Sequence, residues 1–414
     1  MHEVPELECT ACGMRRVGEW SDALCGCGAD LWDIRRPTAQ LDGERLKRLF
    51  DDRLALRSGP YSSGVWRYRE LIAPEFPEDA LVYRGEGNTG LYESERLAAF
   101  AGVRKLWLKA QSENPSGSFK DNGMAVAVTH GKLSGSTRFV CSSTGNTSAS
   151  LAMYAAWAGL DAFVLAPAEG VSRTKVIQTL AYGACVIPFD GTYDDGIRFL
   201  REHARRLGLY VCNSVNPYRI EGQKSIAFEL AQQLGWRTPD WIALPGGALS
   251  NVSALGEALE QLHALGMIDA IPRIALVQAE GASPFHAMLR DGAETLTPEP
   301  RPHTRASALN IGNPPSWRRA LRALRVSNGL TVAVSDREIM EAKRVIDREG
   351  IGCEPASAAT LAGVLRLRAA GRIAKDQTAA CILTGHLLKD IEALEELHLT
   401  ELSSGPLEAE RLFM

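Results

Sequence analysis

The chain lacks a charge excess of either sign: 46 lysines and arginines stand against 50 aspartates and glutamates, a formal net charge of −4 over 414 residues. A surface that grips nucleic acid needs a basic stripe, usually interleaved with aromatic residues, and none runs through this sequence. Nucleic acid is therefore excluded as a broad partner. Long apolar runs are missing too. The most apolar window, 149–168, is interrupted by Gly159 and Asp161, so it reads as helix, turn and strand rather than as a membrane span. Met1–Leu7 lacks a basic start followed by an apolar core, and no secretory leader is expected there. No internal repeat or low-complexity tract breaks the chain, which argues against a solenoid or a linker-rich array.

What is present fits a globular chain of roughly two or three domains with a large core. The nine cysteines form an odd set. Cys141, Cys185, Cys212, Cys353 and Cys381 fall in apolar, strand-like contexts and are expected to be reduced core thiols in a cytoplasmic protein. The other four form two close pairs, Cys9-x2-Cys12 and Cys25-x-Cys27, in a short head that ends at Asp30–Leu31–Trp32. Two knuckles offering two thiolates each suit tetrahedral zinc, although the C-x-C pair is tighter than the commoner C-x2-C. With every position filled by protein, such a zinc would be structural. The alternative is a ribbon that keeps its shape without metal.

Beyond this head, 37–77 is charged and mixed, with a turn-rich break at 58–63. Strands then alternate with amphipathic segments. Strand candidates are Lys105–Ala110, Phe139–Ser142, Ala162–Leu165, Cys185–Pro188 and Leu209–Cys212, followed by Trp241–Leu244, Ile274–Glu280, Leu330–Val334 and Ala379–Leu383. Helices are expected from Lys120, from Asn146, near Val171–Tyr182, near Tyr193–Leu207 and over Tyr218–Leu234. Short apolar runs between amphipathic segments predict βαβ units and largely parallel sheets, an α/β fold. The stretch Gly281–Asn313, with Pro298, Pro300 and Pro302, reads as the main irregular insertion.

The chemistry concentrates in five loops. Glu113–Asn114–Pro115–Ser116–Gly117–Ser118–Phe119–Lys120–Asp121 joins a strand to a helix that begins at Lys120. At a helix start the backbone N–H groups point outward and the dipole is positive, which discourages a lysine from holding its proton. Desolvation at a cleft mouth acts the same way, and a neutral amine is what imine formation needs. Taken alone, however, Lys120 reads more readily as a solvated lysine. Ser142–Ser143–Thr144–Gly145–Asn146–Thr147 clusters hydroxyls and free N–H groups between strand and helix, a cradle for a carboxylate, although a helix cap would explain any one of them. Pro245–Gly246–Gly247–Ala248–Leu249–Ser250–Asn251 follows an apolar strand with small residues, so backbone amides could close around a phosphate; such a turn is also common without a ligand. Asn213–Ser214–Val215–Asn216–Pro217–Tyr218–Arg219 presents a guanidinium fork suited to a phosphate monoester, or simply a surface arginine at a helix start. Thr384–Gly385–His386–Leu387–Leu388–Lys389–Asp390 ends the last strand.

Together these strings resemble the threonine synthase family, pyridoxal-phosphate enzymes of fold type II. Asn-Pro-Ser-Gly-Ser-Phe-Lys-Asp is close to the family's cofactor-lysine motif, and Asn-Ser-Val-Asn-Pro-Tyr-Arg to its Asn-Ser-x-Asn-Pro-x-Arg. Gly64–Arg69 resembles a lead-in segment of family members. Gly85–Glu86–Gly87–Asn88–Thr89–Gly90 resembles Gly-Glu-Gly-x-Thr-Pro, with Gly90 in place of proline and the loop expected to be less rigid. The motifs span about three quarters of the chain in family order. The resemblance implies two parallel-sheet αβα domains with pyridoxal 5′-phosphate between them. A four-cysteine ribbon would cover 1–35, a larger cofactor-binding domain 36–124 with 215–400, and a smaller substrate-side domain 125–214. It also implies a likeness of roles. Lys120 would carry the cofactor and shuttle protons. Asn146 would face its 3′ oxygen, Thr384 its ring nitrogen, and Gly246, Gly247, Ala248, Leu249, Ser250 and Asn251 its phosphate. Ser142, Ser143, Thr144 and Thr147 would receive the substrate carboxylate, while Asn213, Ser214, Thr147 and Arg219 would hold an anionic leaving group. A neutral hydroxyl at the ring nitrogen makes a moderated electron sink, suited to elimination and replacement. His386 reads as a structural histidine.

The expected reaction is O-phospho-L-homoserine plus water giving L-threonine and phosphate, in a homodimer. Three departures, Ala248 for the family's first asparagine, Ser250 for its second glycine and Leu387 for glycine, motivate a rival: a related lyase replacing a β- or γ-substituent on another activated amino acid in specialised metabolism. A binding module without catalysis is the reading from another class, and the intact Lys120 and Thr384 stand against it.

Overall fold

The computed structural model describes residues 5–18, 20, 24–38, 40–167 and 173–399. Residues 1–4 of the expected head, the helix start at Val171 and position 400 lie outside them. The chain opens with a three-stranded antiparallel ribbon of β1 (Glu6–Cys9), β2 (Arg15–Val17) and β3 (Trp32–Arg35), in the order β2-β1-β3. Period-two alternation turns Leu7, Cys9, Trp32 and Ile34 inward. The ribbon docks through a helix at Trp317–Val326, where Arg319 donates from Nε to Asp33 at 2.6 Å and from Nη2 to the Trp32 carbonyl at 2.5 Å.

The chain next builds β4 (Leu91–Glu93) and β5 (Lys105–Lys109), then leaves along the helix Lys120–Leu133. A second, parallel sheet follows: β6 (Arg138–Ser142), β7 (Asp161–Pro167), β8 (Cys185–Phe189) and β9 (Tyr210–Val211), in the order β8-β7-β6-β9. Helices Pro217–Gln223 and Ser225–Gln233 lead back. The return contributes β10 (Trp241–Pro245), β11 (Arg273–Ala279), β12 (Leu330–Val334) and β13 (Thr378–Ile382). These complete a six-stranded sheet ordered β12-β11-β10-β13-β5-β4, parallel except for edge strand β4. Because β13 inserts between β10 and β5, the segments before and after the second sheet form one body. Its central strands are buried on both faces, hence the unbroken apolar run Trp241–Leu244.

This topology positions the site. Ligands of open α/β sheets bind beyond the carboxyl ends of the strands. Adjacent strands β5, β13 and β10 send out the loops that carry Lys120, Thr384 and Gly246–Asn251. In the other sheet, adjacent β6 and β9 send out Ser143–Thr147 and Asn213–Arg219.

Several expectations need correction. The helix at Lys120 is not amphipathic: every residue from Asp121 to Gly131 is buried, because helices Asn146–Ala158 and Pro217–Gln223 pack around it. Cys185 is exposed, since β8 is the edge of its sheet, and Cys353 is buried in a loop rather than a strand. The stretch Gly281–Asn313 is not wholly irregular, because Pro284 at the first turn starts a helix to Arg290.

Candidate active site

Loop 111–119 is held from both sides. Ser112 N–H donates to Leu383 O at 3.1 Å, Phe119 N–H to Thr384 O at 2.9 Å and His386 N–H to Gly117 O at 2.9 Å. Gly117 adopts φ +83, and a Cβ there would stand 2.9 Å from Lys389 Cε. The buried Asp121 carboxylate staples the loop, accepting from Ser116 N–H, Ser116 Oγ and Ser150 Oγ, each at 2.6 Å. Lys120 therefore opens its helix beside Thr384. It is partly exposed at the cleft, yet its amine is poorly solvated. Burial, then the Arg219 guanidinium and Lys175, push the amine down to about 7 against the pull of Glu354.

The loop Gly246–Asn251 makes a tight cradle. A Cβ on Gly247 would lie 2.7 Å from the Ala308 carbonyl, and one on Gly246 3.0 Å from Gln278 and Leu276. Leu249 is driven to φ +65, and no side chain caps the helix Ser250–Ala264 that follows. Its first N–H groups, with the buried and unbonded Asn251 Nδ2, form a fitting seat for a phosphate. Ala248 is partly exposed and its carbonyl accepts from Ser316 N–H at 3.4 Å. Thr384 Oγ1 shares a 3.0 Å hydrogen bond with Ser357 Oγ. Asn146 Oδ1 and Ser118 Oγ are buried without a hydrogen-bond partner. These residues fit pyridoxal phosphate: a phosphate cradle, a hydroxyl pair and a desolvated amine lie at the ends of three neighbouring strands.

On the second sheet, Ser143, Thr144 and Thr147 are partly exposed around the helix start at Asn146. Ser143 Oγ accepts from Gly145 N–H at 3.1 Å. Ser142 does not join them. Strand alternation puts it on the Val140 face, beneath the helix Tyr193–His203, and a Cβ on Gly196 of that helix would collide with its hydroxyl. Asn213 is largely spent bracing the strand: Oδ1 accepts from Ser142 N–H at 3.0 Å, and Nδ2 donates to Ser142 O at 2.9 Å. Ser214 Oγ is buried without a hydrogen-bond partner. Arg219 is 1% exposed, and its Nη1 donates to Cys212 O at 3.0 Å.

Sequence reasoning missed three side chains here. Glu354, 2% exposed, accepts from Asn146 Nδ2 at 2.9 Å and pairs with Lys175 Nζ at 3.2 Å. Lys175 also donates to Ser307 Oγ at 3.3 Å, and Ser307 lies in the stretch Gly281–Asn313. Lys389 bonds Gln178, and burial pushes its amine down to about 8. The available signal was Glu354 itself, a lone carboxylate opening the apolar run 355–364.

In the ribbon, the sulfurs of Cys9, Cys12, Cys25 and Cys27 all lie within 4.8 Å of one another, with Cys9–Cys27 at 3.7 Å and Cys12–Cys25 at 3.6 Å. Zinc–sulfur arms of about 2.3 Å in a regular tetrahedron put sulfurs about 3.8 Å apart, so the set fits a structural zinc. The same spacing would suit another tetrahedral thiophile, and the ribbon stands on its own antiparallel sheet outside the two that carry the cleft.

Comparison with known proteins places the chain. A family model described as "Pyridoxal-phosphate dependent enzyme" matches residues 82–385. A threonine synthase of Methanosarcina acetivorans is 45% identical over 79% of this chain and 80% of its own. One of Methanocaldococcus jannaschii is 40% identical over 93% of each. Among solved structures, maize serine racemase superposes with a TM-score of 0.63 at 21% identity, over 82% of this chain and 99% of that one. At that identity the likeness speaks for the fold alone.

Proposed function

Because the chain belongs to the threonine synthase family of pyridoxal-phosphate-dependent enzymes, we propose that it converts O-phospho-L-homoserine and water into L-threonine and phosphate. The observation that carries this reading is the meeting of a desolvated Lys120 amine with the Arg219 guanidinium in one cleft. An amine near 7 is available both to bond a carbonyl and to carry protons at neutral pH.

In this reading Lys120 would hold the cofactor, Gly246–Asn251 its phosphate, Thr384, paired with Ser357, its ring nitrogen, and Asn146 its 3′ oxygen. When bound, the cofactor supplies the electron sink that makes carbon-bound protons next to the amino group acidic. Lys120 Nζ, freed during turnover, takes one proton from Cα and one from Cβ, and later gives one to Cγ, which becomes the methyl group, and one back to Cα. Ser143, Thr144 and Thr147, with the N–H groups at the helix start, orient the substrate carboxylate. Arg219 and Ser214 hold the leaving phosphate, with the remaining Asn213 N–H. The Cγ–O bond to phosphate breaks while Arg219 balances the charge that develops, and water then adds its hydroxyl at Cβ, its remaining proton going to the released phosphate. Ser142 plays no part.

We assign a ribbon at 1–35 with a structural zinc, a larger domain at 36–124 and 215–400, a smaller one at 125–214, a cytoplasmic location and a homodimer. Among the described residues no helix is long and apolar enough to cross a membrane. Ala248 supports a second reading, a lyase acting on a differently activated amino acid. Phosphate release from O-phosphohomoserine, with the amino-acid product identified, decides between them: threonine supports the first, and inertness toward this substrate the second.

A further inference from the structure

Glu354 is the buried acid on which the cleft converges. It precedes Pro355 at the start of the helix Pro355–Ala369, and its own N–H donates to Gly385 O at 3.0 Å. Its carboxylate occupies the space that a side chain at Gly385 would need, since a Cβ there would collide with Oε1. That gives the glycine after Thr384 a physical reason, and it brings the carboxylate up against the cleft. From there Oε1 accepts from Asn146 Nδ2 at 2.9 Å, while Oε2 lies 3.2 Å from Lys175 Nζ.

The charged surroundings are lopsided. Lys120, Lys175 and Lys389 all feel Glu354 or one another, and Arg219 adds a further positive charge beside Lys120. Asp121, the other carboxylate near Lys389, is already committed to Ser116 and Ser150. Removing the Glu354 charge would leave these cations facing one another in a low-dielectric cleft, where charges interact far more strongly than in water.

We propose that Glu354 is a positioning residue, whose carboxylate fixes the pose of Asn146 and Lys175 and keeps a proton on the Lys120–cofactor linkage. The inference rests on the assignment of Lys120 as the cofactor lysine. An anion held close to a cationic group favours its protonated form, and a cation held close disfavours it. Glu354 therefore works on this linkage against Arg219 and Lys175, while its hydrogen bond to Asn146 fixes the amide that would face the cofactor's 3′ oxygen.

The test is a pH titration of the visible absorbance of the holoenzyme. Glu354→Gln keeps the shape and can still accept from Asn146, but it lacks the charge. Its titration midpoint should fall by roughly 1–3 pH units. Lys175→Met removes a cation from the same pair and should move the midpoint upward. Glu354→Asp, which retains the charge, should titrate closer to the parent than Glu354→Gln does. Opposite shifts support the proposal, because a general loosening of the cleft would move both variants the same way. An unmoved Glu354→Gln midpoint, or shifts of the same sign, overturns it. If Glu354→Gln fails to fold, Lys175→Met decides: an upward shift supports the proposal and no shift overturns it. A parent protein without a borohydride-sensitive band at Lys120 overturns the cofactor assignment and this inference together. A parent band on Lys120 with an unmoved Glu354→Gln midpoint overturns only the role of Glu354.

Discussion

Gly123 and Gly222 face each other where the helix Lys120–Leu133 crosses the helix Pro217–Gln223. A Cβ on Gly222 would stand 2.8 Å from Gly123 Cα, and one on Gly123 2.6 Å from the Arg219 carbonyl. The two backbones touch, and that contact sets how far the Lys120 amine lies from the Arg219 guanidinium. A side chain at either glycine must push the helices apart, an overpacking that costs about 1–3 kcal/mol. Gly123→Ala and Gly222→Ala should each lower the unfolding midpoint. In the protein that does fold, each should raise KM for the phosphorylated substrate more than it weakens cofactor binding. Thermal unfolding and steady-state kinetics check this, and unchanged stability in both variants would show that the contact is looser than described.

Lys120 yields a prediction about pH. An ordinary lysine near 10.5 is almost wholly protonated at neutral pH, but this amine sits at about 7. Its folded-state value is depressed, so the reactive neutral form is scarce below about 7, grows through it and is nearly complete a unit above. The rate at which cofactor-free enzyme captures pyridoxal phosphate should rise with pH around that midpoint. Lys120→Ala should leave a folded protein with no covalent cofactor. Mass spectrometry after borohydride reduction should place the adduct on Lys120, and an adduct on another lysine would sink the assignment.

Legibility divided along a physical line. The cofactor-lysine loop could be read because its chemistry is local: turn residues, a helix start and the lysine lie within one stretch. The strands flanking the site were legible for the same reason, since buried parallel strands are short apolar runs. Ser142 was misread because its orientation depends on which face of β6 the helix Tyr193–His203 covers, and no residue near Ser142 states that. Glu354 and Lys175 were missed because each acquires a role only when strands distant in sequence become neighbours. Asn213 looked like a free donor until the fold brought it against the backbone of Ser142.

The cysteine ribbon should bind one zinc per chain through Cys9, Cys12, Cys25 and Cys27. Metal binding to such a set is folding free energy for the ribbon. Replacing Cys9 and Cys12 by serine should therefore lower stability far more than it changes the rate per correctly folded enzyme, because no sulfur of the set belongs to the cleft. Elemental analysis of protein made in zinc-replete medium checks occupancy, and an absence of metal there would reject the site.

Arg219 and Ala248 together test substrate class. The guanidinium is buried in the cleft, where charge-assisted hydrogen bonds to an anion contribute about 1.5–3 kcal/mol each. Arg219→Ala should lower kcat/KM on O-phosphohomoserine by roughly ten- to a hundredfold or more. The visible absorbance of the cofactor should survive, because Gly246–Asn251 form a separate seat on the other sheet. Ala248 points the other way. The resemblance implies an asparagine there to help hold the substrate phosphate, and Ala248 is partly exposed, with only its carbonyl engaged by Ser316. Ala248→Asn should then supply one more donor and improve use of O-phosphohomoserine. A chain whose turnover ignores Arg219→Ala and collapses on Ala248→Asn has a pocket shaped for a smaller or uncharged leaving group. In that event the second reading, a lyase for another activated amino acid, replaces the first.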